Sequence, residues 1–291
     1  MNRHLDIAGE FRDLTLLKSK VRIAILFLLL ALLFSPIIVQ LVKVWSTKGD
    51  YSHGFFVTPI AFYMAWKMRK ELVSLSSNPT WFGLPVFAVG SVTYVVSFVS
   101  KFHTLTHISM VIILIGLLVF LGGWTVTKKL LFPVLFLLFM FPIPESYYVL
   151  ITNPLKLIIT QISTGIINVS GIPVYREGNL LYLASTQLEV AEACSGIRAL
   201  YSYLMLGCLF AFISEKRKSK IVLLASTVPL ALLVNIMRVT GTGILANYFG
   251  PSVSQGFFHQ FTGFVLFIFG FVVLFLEYYL LNSSAGISKS Q

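Results

Sequence analysis

Long apolar runs dominate this chain, and they decide what it can fold into. They fall at roughly 22–43, 54–67, 82–100, 107–124, 129–144, 195–213, 221–237 and 259–281. A helix needs about twenty apolar residues to cross a hydrocarbon layer of about 30 Å, and most of these runs come close to that length. The second and fifth are short, which suits a helix with little tilt or a partly re-entrant one. Across 291 residues, 57% are hydrophobic and only 11% are charged. A water-soluble domain cannot hide that much apolar surface. The pattern predicts an all-α polytopic membrane protein with about eight transmembrane helices. The first run follows about twenty largely polar residues and lacks a small-residue cleavage site, so it reads as a retained helix rather than a signal peptide.

Charge sets the expected orientation. The net charge of +11 is spread in short clusters between apolar runs, which orients a membrane protein rather than binding nucleic acid. With the N-terminus inside, the cytoplasmic segments hold 15 of the 22 basic residues. Residues 1–21 then form a cytoplasmic segment, 22–281 a single transmembrane domain and 282–291 a cytoplasmic tail. The densest anchor is Lys216, Arg217, Lys218 and Lys220. Cys194 lies about 20 residues before that anchor and Arg238 about 18 after it. At about 1.5 Å per residue, both are one membrane thickness away. His259 opens the last run, which leads back inward. All three are therefore expected at the outer face.

The longest segment between spans runs from about Glu145 to Ala193. Its stretch from Asn153 to Val169 is amphipathic and is expected on the membrane surface. Gly178–Asn179 reads as a turn, and Leu180–Leu183 and Thr186–Val190 contain alternating apolar residues. They predict a small extracytoplasmic hairpin leading into Cys194.

Three residue types at one face suggest acyl-transfer chemistry. Cys194 sits in Glu192-Ala193-Cys194-Ser195-Gly196-Ile197-Arg198, at the start of a predicted helix. A helix N-terminus favours thiolate over thiol. Ser195 and Gly196 allow a carbonyl to approach the backbone, and their N–H groups are candidate oxyanion donors. Glu192 would oppose thiolate formation if close, or would hold Arg198 or Arg238. The bland alternative for Cys194 is a small buried hydrophobe, a reading that fits Cys208 well. Arg238 follows Val234-Asn235-Ile236-Met237. An arginine at the edge of the core either snorkels to headgroups or stabilises developing negative charge, and Asn235 would orient it or bond between helices. His259, in Phe257-Phe258-His259-Gln260, is a headgroup contact or a general acid–base group. His53, in Asp50-Tyr51-Ser52-His53-Gly54, is a rival base or a substrate-positioning residue. His103 and His107 share that face, yet the histidines lack metal-ligand spacing. No cofactor or metal is expected.

At these residues the sequence resembles the exosortase/archaeosortase family of integral-membrane cysteine transpeptidases. The resemblance rests on Ala193-Cys194-Ser195-Gly196-Ile197-Arg198, on Asn235-Ile236-Met237-Arg238, on Phe258-His259 with Gly263, and on Tyr51-Ser52-His53-Gly54. It implies Cys194 as nucleophile, Arg238 as oxyanion stabiliser and His259 as acid–base group. It also implies a multi-pass protein of the cell inner membrane with its site on the extracytoplasmic face. The implied partners are secreted proteins ending in a short motif, typically Pro-Glu-Pro, followed by a transmembrane helix and a basic cluster. The resemblance links such systems to exopolysaccharide production; a lipid or glycan amine would resolve the thioester in a transpeptidase and water in a protease, and the sequence does not choose between them. The competing reading is a non-enzymatic transporter or subunit of a glycan export system, which would place ionisable groups along a mid-membrane path.

Overall fold

The computed structural model describes residues 3–75, 78–184, 186–190, 197–250 and 256–283, with backbone alone for 3–20, 22–23 and 256–260. The chain divides into two units, one of residues 1–55 and 75–131 and the other of 56–74 and 132–291. Five helical stretches are long and apolar enough to cross a membrane: Ala24–Thr47, His103–Met140, Glu145–Val169, Arg217–Phe249 and Phe261–Ser283. Gly83–Val99 and Ile197–Ile213 are shorter apolar helices. An all-α polytopic membrane fold is what these elements form.

In the first unit, α1 (Arg3–Thr47), α4 (Gly83–Val99) and most of α5 (His103–Phe136) carry the apolar surface. The Tyr94 hydroxyl donates to the Leu33 carbonyl at 2.7 Å, and its ring meets Phe34 edge-on. Backbones approach closely at Gly90, where an added Cβ would lie 2.9 Å from the Ile113 amide. The α5 helix breaks at Gly123, whose φ of 76° and ψ of 178° leave helical space. A glycine serves there because L side chains disfavour that φ, and because the Asn78 carbonyl fills the space a Cβ would take. The break falls near the end of the fourth run, just before the expected gap at 125–128.

The second unit holds α2 (Gly54–Lys67) from Phe56 onward, α3 (Arg69–Ser74), α6 (Glu145–Val169), α7 (Ile197–Ile213), α8 (Arg217–Phe249), α9 (Gly256–Ser283) and a small sheet. Helices α7, α8 and α9 pack around Tyr203, Phe210, Leu223, Leu230, Val234 and Leu274. Small residues let their backbones close, as membrane bundles require. A Cβ at Gly207 would strike the Thr227 methyl, and one at Gly270 would strike the Tyr203 hydroxyl. That hydroxyl donates to the carbonyls of Leu266 at 3.3 Å and Phe267 at 3.2 Å. At the opposite end, Lys216 Nζ donates to the Leu281 carbonyl at 3.1 Å, and Ser214 to Asn282 at 2.8 Å. The basic loop thus binds the C-terminal carbonyls of α9, where a cation is favoured.

Strands β1 (Val174–Glu177), β2 (Leu180–Leu183) and β3 (Gln187–Glu189) form an antiparallel sheet in that order. Gly178 and Asn179 join β1 to β2, and the positive φ of 61° at Gly178 suits the first position of a two-residue turn. Leu181, Leu183 and Leu188 turn to one face and pack with Ile159 and Ile167 of α6 and Val239 and Ala246 of α8. The expected hairpin is present, with β1 as an additional strand.

One expectation changes. The segment expected to lie flat from Asn153 is the second part of a helix beginning at Glu145, with Pro154 inside it. Its second half runs alongside α8 in the same direction. Ser163 meets the Ile236 carbonyl at 3.5 Å, and Ile167 lies where a Cβ on Gly243 would point. Burial of Thr160 and Ser163 against neighbours explains part of the polar stripe that suggested a surface helix.

Candidate active site

The site grows from the end of the α7–α8–α9 bundle away from the basic loop. Tyr203 fixes the register of α7 against α9. Ile197, the first residue of α7, is six residues toward the site end from Tyr203, or about 9 Å along the axis. Gly263 is three residues toward the same end from Leu266, or about 5 Å. The start of α7 and the Gly263 level of α9 therefore lie within about 5 Å of each other in height.

Arg238 reaches this level from α8. Its Cζ and Nη2 lie 3.4 Å from the position a Cβ would take on Gly263. The flat guanidinium rests on the bare backbone of α9, where a larger side chain would displace it. Gly263 is four residues after His259, so the two positions share one face of α9. His259 itself sits in the first turn of that helix. Arg238 thus lies beside the face of α9 to which position 259 belongs.

Arg238 also marks a boundary on α8. Val234, four residues below it, belongs to the bundle core, and Val239 belongs to the core shared with the sheet. The guanidinium sits half-buried where one apolar cluster ends and the next begins. Asn235, 2% exposed and three residues from Arg238, lies on the same side of the helix.

Cys194, Glu192, Ser195 and Gly196 lie outside the described residues. The residues that flank their segment, Val190 and Ile197, are described. Before it, Val190 is 3% exposed, and its amide donates to the Asn179 carbonyl at 2.9 Å. The Asn179 side-chain amide donates in turn to the Val190 carbonyl at 3.3 Å. After it, Ile197 is 4% exposed at the first turn of α7. Asn179 is a clamp on the end of β3 that the sequence reading missed. Its Gly-Asn dipeptide announced a turn, while the side-chain clamp depends on a strand that lies ten residues further on.

Two further candidates lie on described residues. Arg198 is exposed on the first turn of α7. His53 is 8% exposed in the first unit, with its ring 6.4 Å from that of Tyr51. On the open face of the sheet, the Tyr182 hydroxyl donates to Glu177 Oε2 at 3.4 Å. Desolvation, followed by the charge of Glu177, raises that phenol above its usual range.

No curated protein and no solved structure matches the chain. A transmembrane exosortase profile matches residues 45–276, from the end of α1 into the last turns of α9. The match covers well over half of the chain and takes in positions 194, 238 and 259. Membership in that family brings a membrane transpeptidase-like role in general. With its membrane helices, its Arg238 laid across α9 beside the His259 face, and this match, the chain belongs to the transmembrane exosortase family.

Proposed function

We propose that this protein is a membrane cysteine transpeptidase or protease that removes the C-terminal sorting signal of secreted proteins at the extracytoplasmic face of the cell inner membrane. The observation that carries this reading is Arg238 lying on Gly263, one helical turn from position 259, at the end of the bundle where α7 begins. A substrate anchored by its own helix is confined to two dimensions, which raises its effective concentration at a site of this height. His259 takes the proton of the Cys194 thiol, and the thiolate sulfur bonds to the scissile carbonyl carbon. Arg238 stabilises the oxyanion that forms. The carbon–nitrogen bond then breaks, His259 gives the leaving amine its proton, and a thioester remains on Cys194. An amine of a lipid or glycan, or water, attacks that thioester and restores the thiol.

Helices α7, α8 and α9 contain one acidic residue, Glu277. It accepts from Ser226 at 2.7 Å, two turns from the basic end. A single tethered carboxylate at one end is not the mid-membrane path a transporter needs.

The test is cleavage in proteoliposomes. The purified protein should shorten a reporter that carries a Pro-Glu-Pro motif, an apolar helix and a basic cluster, and trapping should recover a reporter fragment on Cys194. Intact reporter, with no adduct on that cysteine, would refute the reading.

Gly263 offers a separate check. Gly263→Ala adds a methyl in ordinary contact with the guanidinium and should leave turnover near wild type. Gly263→Leu pushes the guanidinium away and should lower turnover by about 100-fold, the scale of a lost oxyanion partner. Equal turnover in both variants would separate Arg238 from the chemistry.

A further inference from the structure

We infer that the outer edge of β3 binds the substrate as an added strand, on the amino-terminal side of the bond to be cut. This inference rests on the function proposed above and names how that site holds its substrate.

Hydrogen bonding in the sheet fixes which backbone groups face outward. The Val190 amide donates to Asn179, and the Thr186 carbonyl accepts from Leu183 at 2.8 Å. Residues 186 and 190 therefore turn their backbone groups toward β2, and so does Leu188 between them, because pairing alternates along an antiparallel ladder. Gln187 and Glu189 turn theirs the other way. Among the described residues, β3 pairs only with β2. Gln187 and Glu189 are both exposed, while Leu188 holds the strand down from the buried face. Two donors and two acceptors thus lie along an open edge that an extended peptide can occupy.

Position supplies the occupant. Leu188 packs at the level of Gly243 on α8, five residues beyond Arg238 and about 7 Å further from the basic loop. A substrate rising from the membrane would pass the Arg238 level first and this edge next. In sequence, Cys194 follows the end of β3 by five residues. A peptide paired with β3 is therefore held by the segment that precedes the proposed nucleophile in the chain. Pairing through the backbone places a peptide bond without requiring particular side chains, which leaves sequence preference to neighbouring pockets.

The experiment uses the full chain with Cys194→Ala, so that binding is read without turnover. The probe is a fluorescent peptide with eight residues, Pro-Glu-Pro and an apolar tail, bound to the protein in lipid nanodiscs. Single backbone N-methyl groups are placed in turn along the eight residues. Every second position should weaken binding about fivefold, the scale of one lost backbone hydrogen bond, and the positions between should not. Gln187→Pro removes an outward donor while sparing the bonds to β2, as an edge position allows. It should raise the Kd by a similar factor, and the wild-type background should show the same rise in KM with kcat kept. A uniform or flat methylation profile, with tight binding of the parent peptide, would overturn the edge-strand inference alone. Failure of the wild-type protein to bind or cleave the parent peptide would overturn the functional reading and this inference together.

Discussion

Cys194→Ala is expected to abolish tail cleavage, with a loss on the order of 10³-fold or more, because no other group replaces the nucleophile. The protein should still insert and fold. The α7–α8–α9 core is built from Tyr203, Phe210, Leu223 and their neighbours, none of which needs the thiol. Cys194→Ser keeps size and polarity but offers a far weaker nucleophile at neutral pH, so it should be nearly as inactive. Cys208, half-buried within α7, gives the control: Cys208→Ala should cleave at the wild-type rate. Cleavage that persists in both Cys194 variants would remove the thiol from the mechanism. In the Cys208→Ala background, a membrane-impermeant maleimide should modify Cys194 from outside intact cells. Modification only after permeabilisation would place the site on the wrong face.

Arg238→Ala should lower kcat by about 10²–10³-fold while KM moves little, the pattern of an interaction made chiefly in the transition state. Arg238→Lys is the more discriminating change. Lysine keeps the charge but loses the planar fork that lies flat on Gly263. We expect a loss of about 10²-fold for that variant as well. Wild-type turnover in Arg238→Lys would mean that charge alone suffices and that the α8–α9 contact is only packing. Thermal unfolding of both variants should stay close to wild type, since Arg238 sits between the two apolar clusters rather than inside either.

Much of the fold was legible in the chain. Charge clusters and run lengths placed Cys194, Arg238 and His259 at one end of the membrane helices. The structure sets Ile197, Arg238 and the first turns of α9 at a common end, with the basic loop bound to Leu281 and Asn282 at the other. The Gly178–Asn179 turn and the alternation after it gave two strands of the sheet. Strand β1 was missed because Val-Tyr-Arg-Glu does not alternate cleanly. Helix α6 was misplaced because Thr160 and Ser163 read as polar and turn out to be fully buried. Short hydroxyl side chains can satisfy themselves within a helix: Thr160 donates to the Lys156 carbonyl at 2.6 Å. Two contacts depend on register that no local pattern carries. They are the seat of Arg238 on Gly263 and the clamp of Asn179 on Val190.

The unbroken length of α8 has a mechanical consequence. Its 33 residues make a rod of about 50 Å, with four cations at or just before one end and the guanidinium partway along. Lipid headgroups that grip those cations would hold the guanidinium at a set height, as a mason's gauge sets each course. The cut would then be measured from the far leaflet, and a thicker bilayer would draw the blade toward the oil before it changed anything in the blade itself.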